Sequence, residues 1–300
     1  MKKSIYLILI IGLTLSVRIT LTGQSPRVES IHNLFSDDMG EREDIFFEAL
    51  RAAGGIFENP SWSPEGAMVA FDFGYLHPRP EEENSLLCIF DIASKSLKII
   101  SNLDDVCPTW SPDSSQIAFS SDRSGKSLIY KINIDGTNLI QLTTSESWGS
   151  AWSPDGGRIA YDTENGIWIM NSDGTGATQI TFVPSDCQVT WSPDSQRIAF
   201  ASERSGKLNI WVMNADGSNP VQLTKKGGAV PAWSPDGKWI AFNRGRQIWL
   251  VSPDGQKEVH LRTDFPVGCP SWSPDSRKIV FDGVKDFEYD ADLYVMTIKY

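Results

Sequence analysis

Carboxylates are the side chains of this chain that most invite chemistry. Glu58, Asp105 and Asp186 each stand a few residues ahead of a tryptophan, in comparable places of a recurring sequence, with Trp148 and Gln188 in similar places. Convergent carboxylates suit a hard divalent cation, but no DxDxDG calcium-loop spacing accompanies them. A cation among these three is the one cofactor the sequence offers, and otherwise none is expected. Two further acidic groups lie in long connections: Glu81, Glu82 and Glu83, and Asp286, Glu288 and Asp290 with Phe287 beside them. They form either an acidic, partly aromatic docking site or a solvated surface. The histidines at 32, 77 and 260 are too scattered to cluster, and Cys88, Cys107, Cys187 and Cys269 contain no CxxC. Free thiols, a disulfide and a metal role all stay open for these cysteines. No GxSxG, HExxH, GxxxxGK[ST] or strand-to-helix GxGxxG occurs, so no catalytic residue is assigned.

The charge balance narrows the partners. A net charge of −11 and a pI near 4.8 exclude a nucleic-acid-binding surface, which needs clustered Lys and Arg to neutralise phosphates. Residues 1–23 carry Lys2 and Lys3 before an apolar run from Ile5 to Val17, the pattern of a secretory signal. The run is too short to span a bilayer, so membrane contact is expected only through this segment, should it remain as an uncleaved anchor. The expected location is therefore periplasmic or extracellular.

Internal repetition supplies the elements that must position these residues. The string WSP recurs at Trp62, Trp110, Trp152, Trp191, Trp233 and Trp272, at spacings of 48, 42, 39, 42 and 39 residues. Each copy continues through a Ser-Pro-Asp-Gly-type turn, where Pro presets a dihedral, Asp bonds back to the backbone and Gly accepts a positive φ. A strand with an Ile-Ala-Phe core follows, as at Ile117-Ala118-Phe119 and Ile198-Ala199-Phe200. A third strand such as Ile210-Trp211-Val212-Met213 ends in Asn-x-Asp-Gly, a hairpin signal, and a fourth carries Gln-Leu-Thr. Four strands per unit and six units predict an all-β, six-bladed β-propeller of four-stranded antiparallel blades over residues 57–300. The six tryptophans and turn aspartates read as structural, because a residue needed in every copy is rarely catalytic.

The last copy stops after its third strand, so Arg27 to Phe35 is expected to pair in and close the ring. A short helix from Gly40 to Ala53 would complete the segment 24–56. In such meanders the Ser-Pro-Asp-Gly and Asn-x-Asp-Gly turns share one face of the ring. The second-to-third and fourth-to-first loops share the other, and they break the repeat at Asp104-Asp105, Glu146 and Trp148, Ser185-Asp186, Lys225-Lys226-Gly227-Gly228 and Asp264-Phe265. Loops freed from a repeat are where binding is expected.

The WSPDG, IAF, IYVMN and DG elements closely resemble the PD40 repeat, the WD40-like unit of the TolB family. The resemblance covers residues 57–300 in six copies. It implies a non-catalytic exported propeller that binds a protein, peptide or glycan in the cell envelope, as TolB propellers work with a peptidoglycan-associated lipoprotein and membrane partners. The α/β domain that precedes the propeller in that family is not expected within residues 24–56. Some propellers of similar repeat type are lyases or gate a fused peptidase, so a lyase or hydrolase-type enzyme with its active site at the channel mouth is the alternative.

Overall fold

A computed structural model describes residues 26–35, 55–75, 85–285 and 291–300. Six four-stranded antiparallel sheets are arranged as blades, five of them meanders in chain order. Blade one runs through Gly55–Trp62, Met68–Tyr75, Leu86–Asp91 and Ser96–Ser101. Blade six contains Ser271–Trp272, Lys278–Gly283 and Asp292–Lys299, and takes its fourth strand, Arg27–Asn33, from the N-terminal side of the chain. Arg27 lies opposite Lys299 and Asn33 opposite Tyr294, with a register shift between Val28 and Ser30. The expected closure therefore forms, and it covers an edge that would otherwise offer free backbone groups. Among the described residues there is no helix; the one expected over 40–53, and the segment 1–23, lie outside them.

The repeated turns hold themselves by local hydrogen bonds. In blade three the Ser153 hydroxyl donates to Asp155 (2.5 Å) and accepts the Arg158 N–H (2.9 Å), while Asp155 also accepts the Gly157 N–H (3.0 Å). The same arrangement pairs Ser111 with Asp113 and Ser192 with Asp194. These serine hydroxyls hold Asp113, Asp155 and Asp194 below the ordinary carboxylate range. On the third-strand turns Asp135, Asp173 and Asp216 each accept from the hydroxyl and N–H two residues on.

The Ile-Ala-Phe strand explains how the blades interlock. The small residue at its centre faces the following blade and leaves room for that blade's tryptophan: Ala70 with Trp110, Ala118 with Trp152, Ala160 with Trp191, Ala199 with Trp233 and Ala241 with Trp272. Val280 meets Trp62 and completes the ring. Such large-into-small packing buries both faces of a sheet that could bury neither alone. The indole N–H groups of Trp110, Trp191 and Trp272 donate to Ser61 O (2.9 Å), Ala151 O (3.0 Å) and Ala232 O (3.0 Å) of the preceding blade. Those of Trp152 and Trp233 are buried without a partner. Trp272→Phe should therefore destabilise the fold by about 1 kcal/mol more than Trp233→Phe, since only the first removes an inter-blade hydrogen bond. Urea denaturation of the two variants measures the difference, and equal losses would contradict it.

Candidate functional site at the channel mouth

The inner strands begin at the end of the ring where the second-to-third and fourth-to-first loops lie. Five of them carry a register shift near their start. Within these bulges Asn59, Cys107, Gly149, Gln188 and Val230 adopt φ of 49°, 56°, 49°, 57° and 51°. This left-handed region is costly for a β-branched residue such as Val230, and bulges re-aim side chains where sites are built. A ring of backbone amides is thus turned at one height around the channel.

Three carboxylates on the second strands accept backbone amides at the mouth, two of them from these bulges. Asp72 of blade one accepts the Cys107 N–H of blade two (3.0 Å) and the Asn59 side-chain amide (3.1 and 3.2 Å). Asp162 of blade three accepts the Gln188 N–H of blade four (3.2 Å). Asp282 accepts the Cys269 N–H within blade six (2.7 Å), and the Cys269 thiol donates to Asn59 Oδ1 of blade one (3.2 Å). Space is reserved for them by glycine: a Cβ on Gly149 would come within 2.6 Å of Asp162 Oδ1, and one on Gly268 within 1.8 Å of Asp282 Oδ2. No cationic side chain pairs with any of the three among the described residues. Burial consequently pushes Asp72 and Asp162 up to about 7 and Asp282 to about 6. Partial burial also raises Glu58, which remains exposed at the rim.

Cys107, Cys187 and Cys269 belong to the same wall, whereas Cys88 lies in the core of blade one on its third strand. All four cysteines are free. Burial pushes Cys88 up to about 12 and Cys187 to about 11, and raises Cys107 and Cys269 as well, with nearby carboxylates adding to each shift. They are therefore neutral donors at physiological pH and poor nucleophiles.

Of the residues singled out from the sequence, Glu58 and Trp148 share one column, four residues before the tryptophan, and stand opposite Asp72 and Asp162. Gln188 occupies the bulge, and its side chain accepts the Val230 N–H (2.9 Å). Asp105 and Asp186 require correction. They stand one residue earlier, and a one-residue step along a strand sends a side chain to the opposite side. Both are buried: Asp105 accepts two bonds from Arg123 (2.6 and 2.8 Å), and Asp186 pairs with Arg204. The three carboxylates Glu58, Asp105 and Asp186 therefore do not converge. Among the described residues no group of three or more His, Cys, Asp or Glu is arranged to hold a metal ion. Glu81, Glu82, Glu83, Asp286, Phe287, Glu288 and Asp290 lie outside the described residues.

Sequence reasoning missed Asp72, Asp162 and Asp282. Their signal is the residue after the aromatic of the Ile-Ala-Phe strand, which reads Asp72, Ser120, Asp162, Ala201, Asn243 and Asp282 around the ring. Within an otherwise uniform strand this is a column that departs from the repeat, and three departures are acidic. The pairings of Asp105 with Arg123 and Asp186 with Arg204 were also missed, although the two pairs share one spacing.

Comparison with known proteins agrees with this architecture. The family model for the TolB beta propeller domain, PD40, matches residues 47–181 and 147–299. The Tol-Pal system protein TolB of Anaeromyxobacter dehalogenans is 36% identical over 90 residues, 28% of this chain. The match spans only 21% of that relative's length. A solved TolB candidate from Agrobacterium tumefaciens superposes with a TM-score of 0.63 at 26% identity, over 82% of this chain and 91% of that one. A manganese-bound oligogalacturonate lyase gives a TM-score of 0.56 at 12% identity, over 90% and 93% of the two chains, a likeness of fold alone. With the family model matching most of its length and six blades closed into one ring, the chain belongs to the TolB β-propeller family of PD40 repeats.

Proposed function

We propose that this protein is an exported, non-catalytic binding propeller that holds a protein, peptide or glycan of the cell envelope at its channel mouth. The observation that carries this reading is the mouth itself, where an exposed Trp148 and Glu58 stand over carboxylates committed to fixing neighbouring blades. Rigid aromatic anchors beside hydrogen-bonding groups suit recognition. The acidic residues Glu81 to Glu83 and Asp286 to Asp290, which fall between strands of blades one and six in the sequence, extend the same reading, because those blades adjoin at the closure. Capture by the tagged protein in intact cells, compared with a Glu58→Gln, Trp148→Ala variant, tests it. The native form should retain an envelope component that the variant loses. Identical capture by both forms would overturn the reading.

A second reading, a lyase-type enzyme, draws support from Asp162, whose elevated proton affinity suits a general acid or base. It requires turnover, for instance of oligogalacturonate, that Asp162→Asn abolishes. Binding without turnover counts against it.

A further inference from the structure

The channel-mouth end of the ring has a basic sector, although the chain as a whole carries −11. Lys207, Lys225, Lys226, Arg246 and Arg262 are all exposed. None has an ion-pair partner among the described residues. They stand on the second-to-third and fourth-to-first loops of blades four and five, where the only exposed acids are Glu203 and Asp264. The four loops are tied into one platform. Gly228 N donates to Leu208 O (3.0 Å), Arg244 Nε to Gly227 O (2.9 Å), and Val267 N to Arg246 O (2.9 Å). Gln247 adds bonds to Phe265 O (3.1 Å) and from Thr263 N (3.0 Å). The backbone that carries the cations is therefore held before any partner arrives, which lowers the ordering cost of binding.

Arg246 sits in a tight turn. Residues 244 and 247 exchange backbone hydrogen bonds of 2.9 and 3.2 Å, and the two residues between them, Gly245 and Arg246, have φ of 61° and 59°. Such a two-residue turn favours glycine at its second central position. Here that position holds an exposed arginine, whose place on the loop is fixed by the turn.

We propose that this platform binds an acidic peptide segment of a partner protein, a proposal that rests on the mouth face being the binding face. Lysines supply point charges and the arginine forks match carboxylates. Phe182, 76% exposed on the loop leading into blade four, offers an apolar contact on the same face. The shape of the charge favours a peptide over an anionic bilayer. Asp122, Glu146 and Glu164 are exposed on blades two and three of the same face, and a flat anionic surface would meet them together with the cations. A narrow segment would not.

The test uses the full chain and a fluorescein-labelled peptide of glutamates around one phenylalanine, read by anisotropy, with its glutamine counterpart as control. The native protein should prefer the glutamate peptide, with affinity falling about tenfold between low and high salt as the charges are screened. Lys225→Gln, Lys226→Gln, Arg246→Gly together should weaken binding by about tenfold or more with no fall in melting temperature, because glycine relieves the turn. Lys238→Gln, Lys257→Gln, Arg277→Gln, which removes as many charges from the opposite face, should leave affinity within about twofold. Equal loss from both triple variants, or no preference for glutamate over glutamine, would overturn the proposal. Sedimentation of the native protein with phosphatidylglycerol vesicles, without preference for the acidic peptide, would overturn it in favour of a membrane surface. Probe binding lost only in the platform variant, while Glu58→Gln, Trp148→Ala still changes capture from cells, upholds both readings. Absent probe binding with that change intact removes this inference alone, and intact probe binding without that change removes the mouth reading.

Discussion

Arg123→Ala is expected to lower folding stability by about 3–5 kcal/mol, the loss typical of leaving a buried charge without its partner. Asp105 has no exposed side-chain surface, and Arg123 Nη2 reaches both of its oxygens, at 2.6 and 2.8 Å. The same guanidinium donates to Ser121 Oγ and Ser101 Oγ (2.9 Å each) and lies 4.9 Å from the Tyr130 ring centroid and 5.4 Å from that of Phe119. Blade four repeats the design with Arg204, buried Asp186, Phe200 and Trp211, so Arg204→Ala should cost a similar amount. Blade five keeps the stacking of Arg244 on Phe242 and Trp249, but its partner Glu258 is 28% exposed. Arg244→Ala should therefore lose less, about 1–2 kcal/mol, because the orphaned carboxylate can be solvated. Urea denaturation at neutral pH reads all three. Equal losses in blades two and five would show that stacking, and not the buried charge, sets the cost. Replacing the first pair by apolar residues, Asp105→Leu with Arg123→Met, should restore much of what Arg123→Ala loses.

Asp162→Asn should stabilise the protein at pH 8, by about 2–4 kcal/mol, and have little effect near pH 4. Burial holds Asp162 at about 7 in the folded protein, against an ordinary value of 3.8. The folded state thus binds its proton more tightly than the unfolded chain does. Its contribution to stability is complete below about pH 4 and is lost as pH rises through about 7. Asparagine keeps an oxygen for the Gln188 N–H and removes the charge that must otherwise be buried. Melting temperatures of native and variant protein across this range should diverge as pH rises. Parallel curves would mean that water or a bound cation already compensates the carboxylate.

The blades were legible because each copy solves the same local problem with the same residues. Trp fills the space left by the Ala of the preceding blade, Ser and Asp lock the turn, and Asp-Gly closes the outer hairpin. Closure by Arg27–Asn33 was legible for a related reason, since the sixth copy of the repeat shows three strands and the stretch from Arg27 to Phe35 was the best candidate for a fourth. The mouth was legible in part. Glu58, Trp148 and Gln188 stand there, but counting back from Trp does not reveal the bulges, and Asp105 and Asp186 fall on the side of the strand that faces an arginine. That arginine lies 18 residues further on in both cases, a contact made by the hairpin and not by local sequence. Asp72, Asp162 and Asp282 were overlooked because an acidic residue after a buried aromatic reads as a strand end. Their meaning lies in amides of a neighbouring inner strand, which sequence adjacency does not show.

On the reading proposed above, the mouth face is the functional face and the turn face a structural one. Trp148 is 39% exposed and Lys238 stands in an opposite-face turn, so a photo-cross-linking residue can replace either without entering the core. Cross-linking in living cells from these two positions tests the claim most directly. The account predicts a discrete adduct from position 148, absent from position 238 and weakened by Glu58→Gln. Equal adducts from both positions, or adducts from 238 alone, would contradict it.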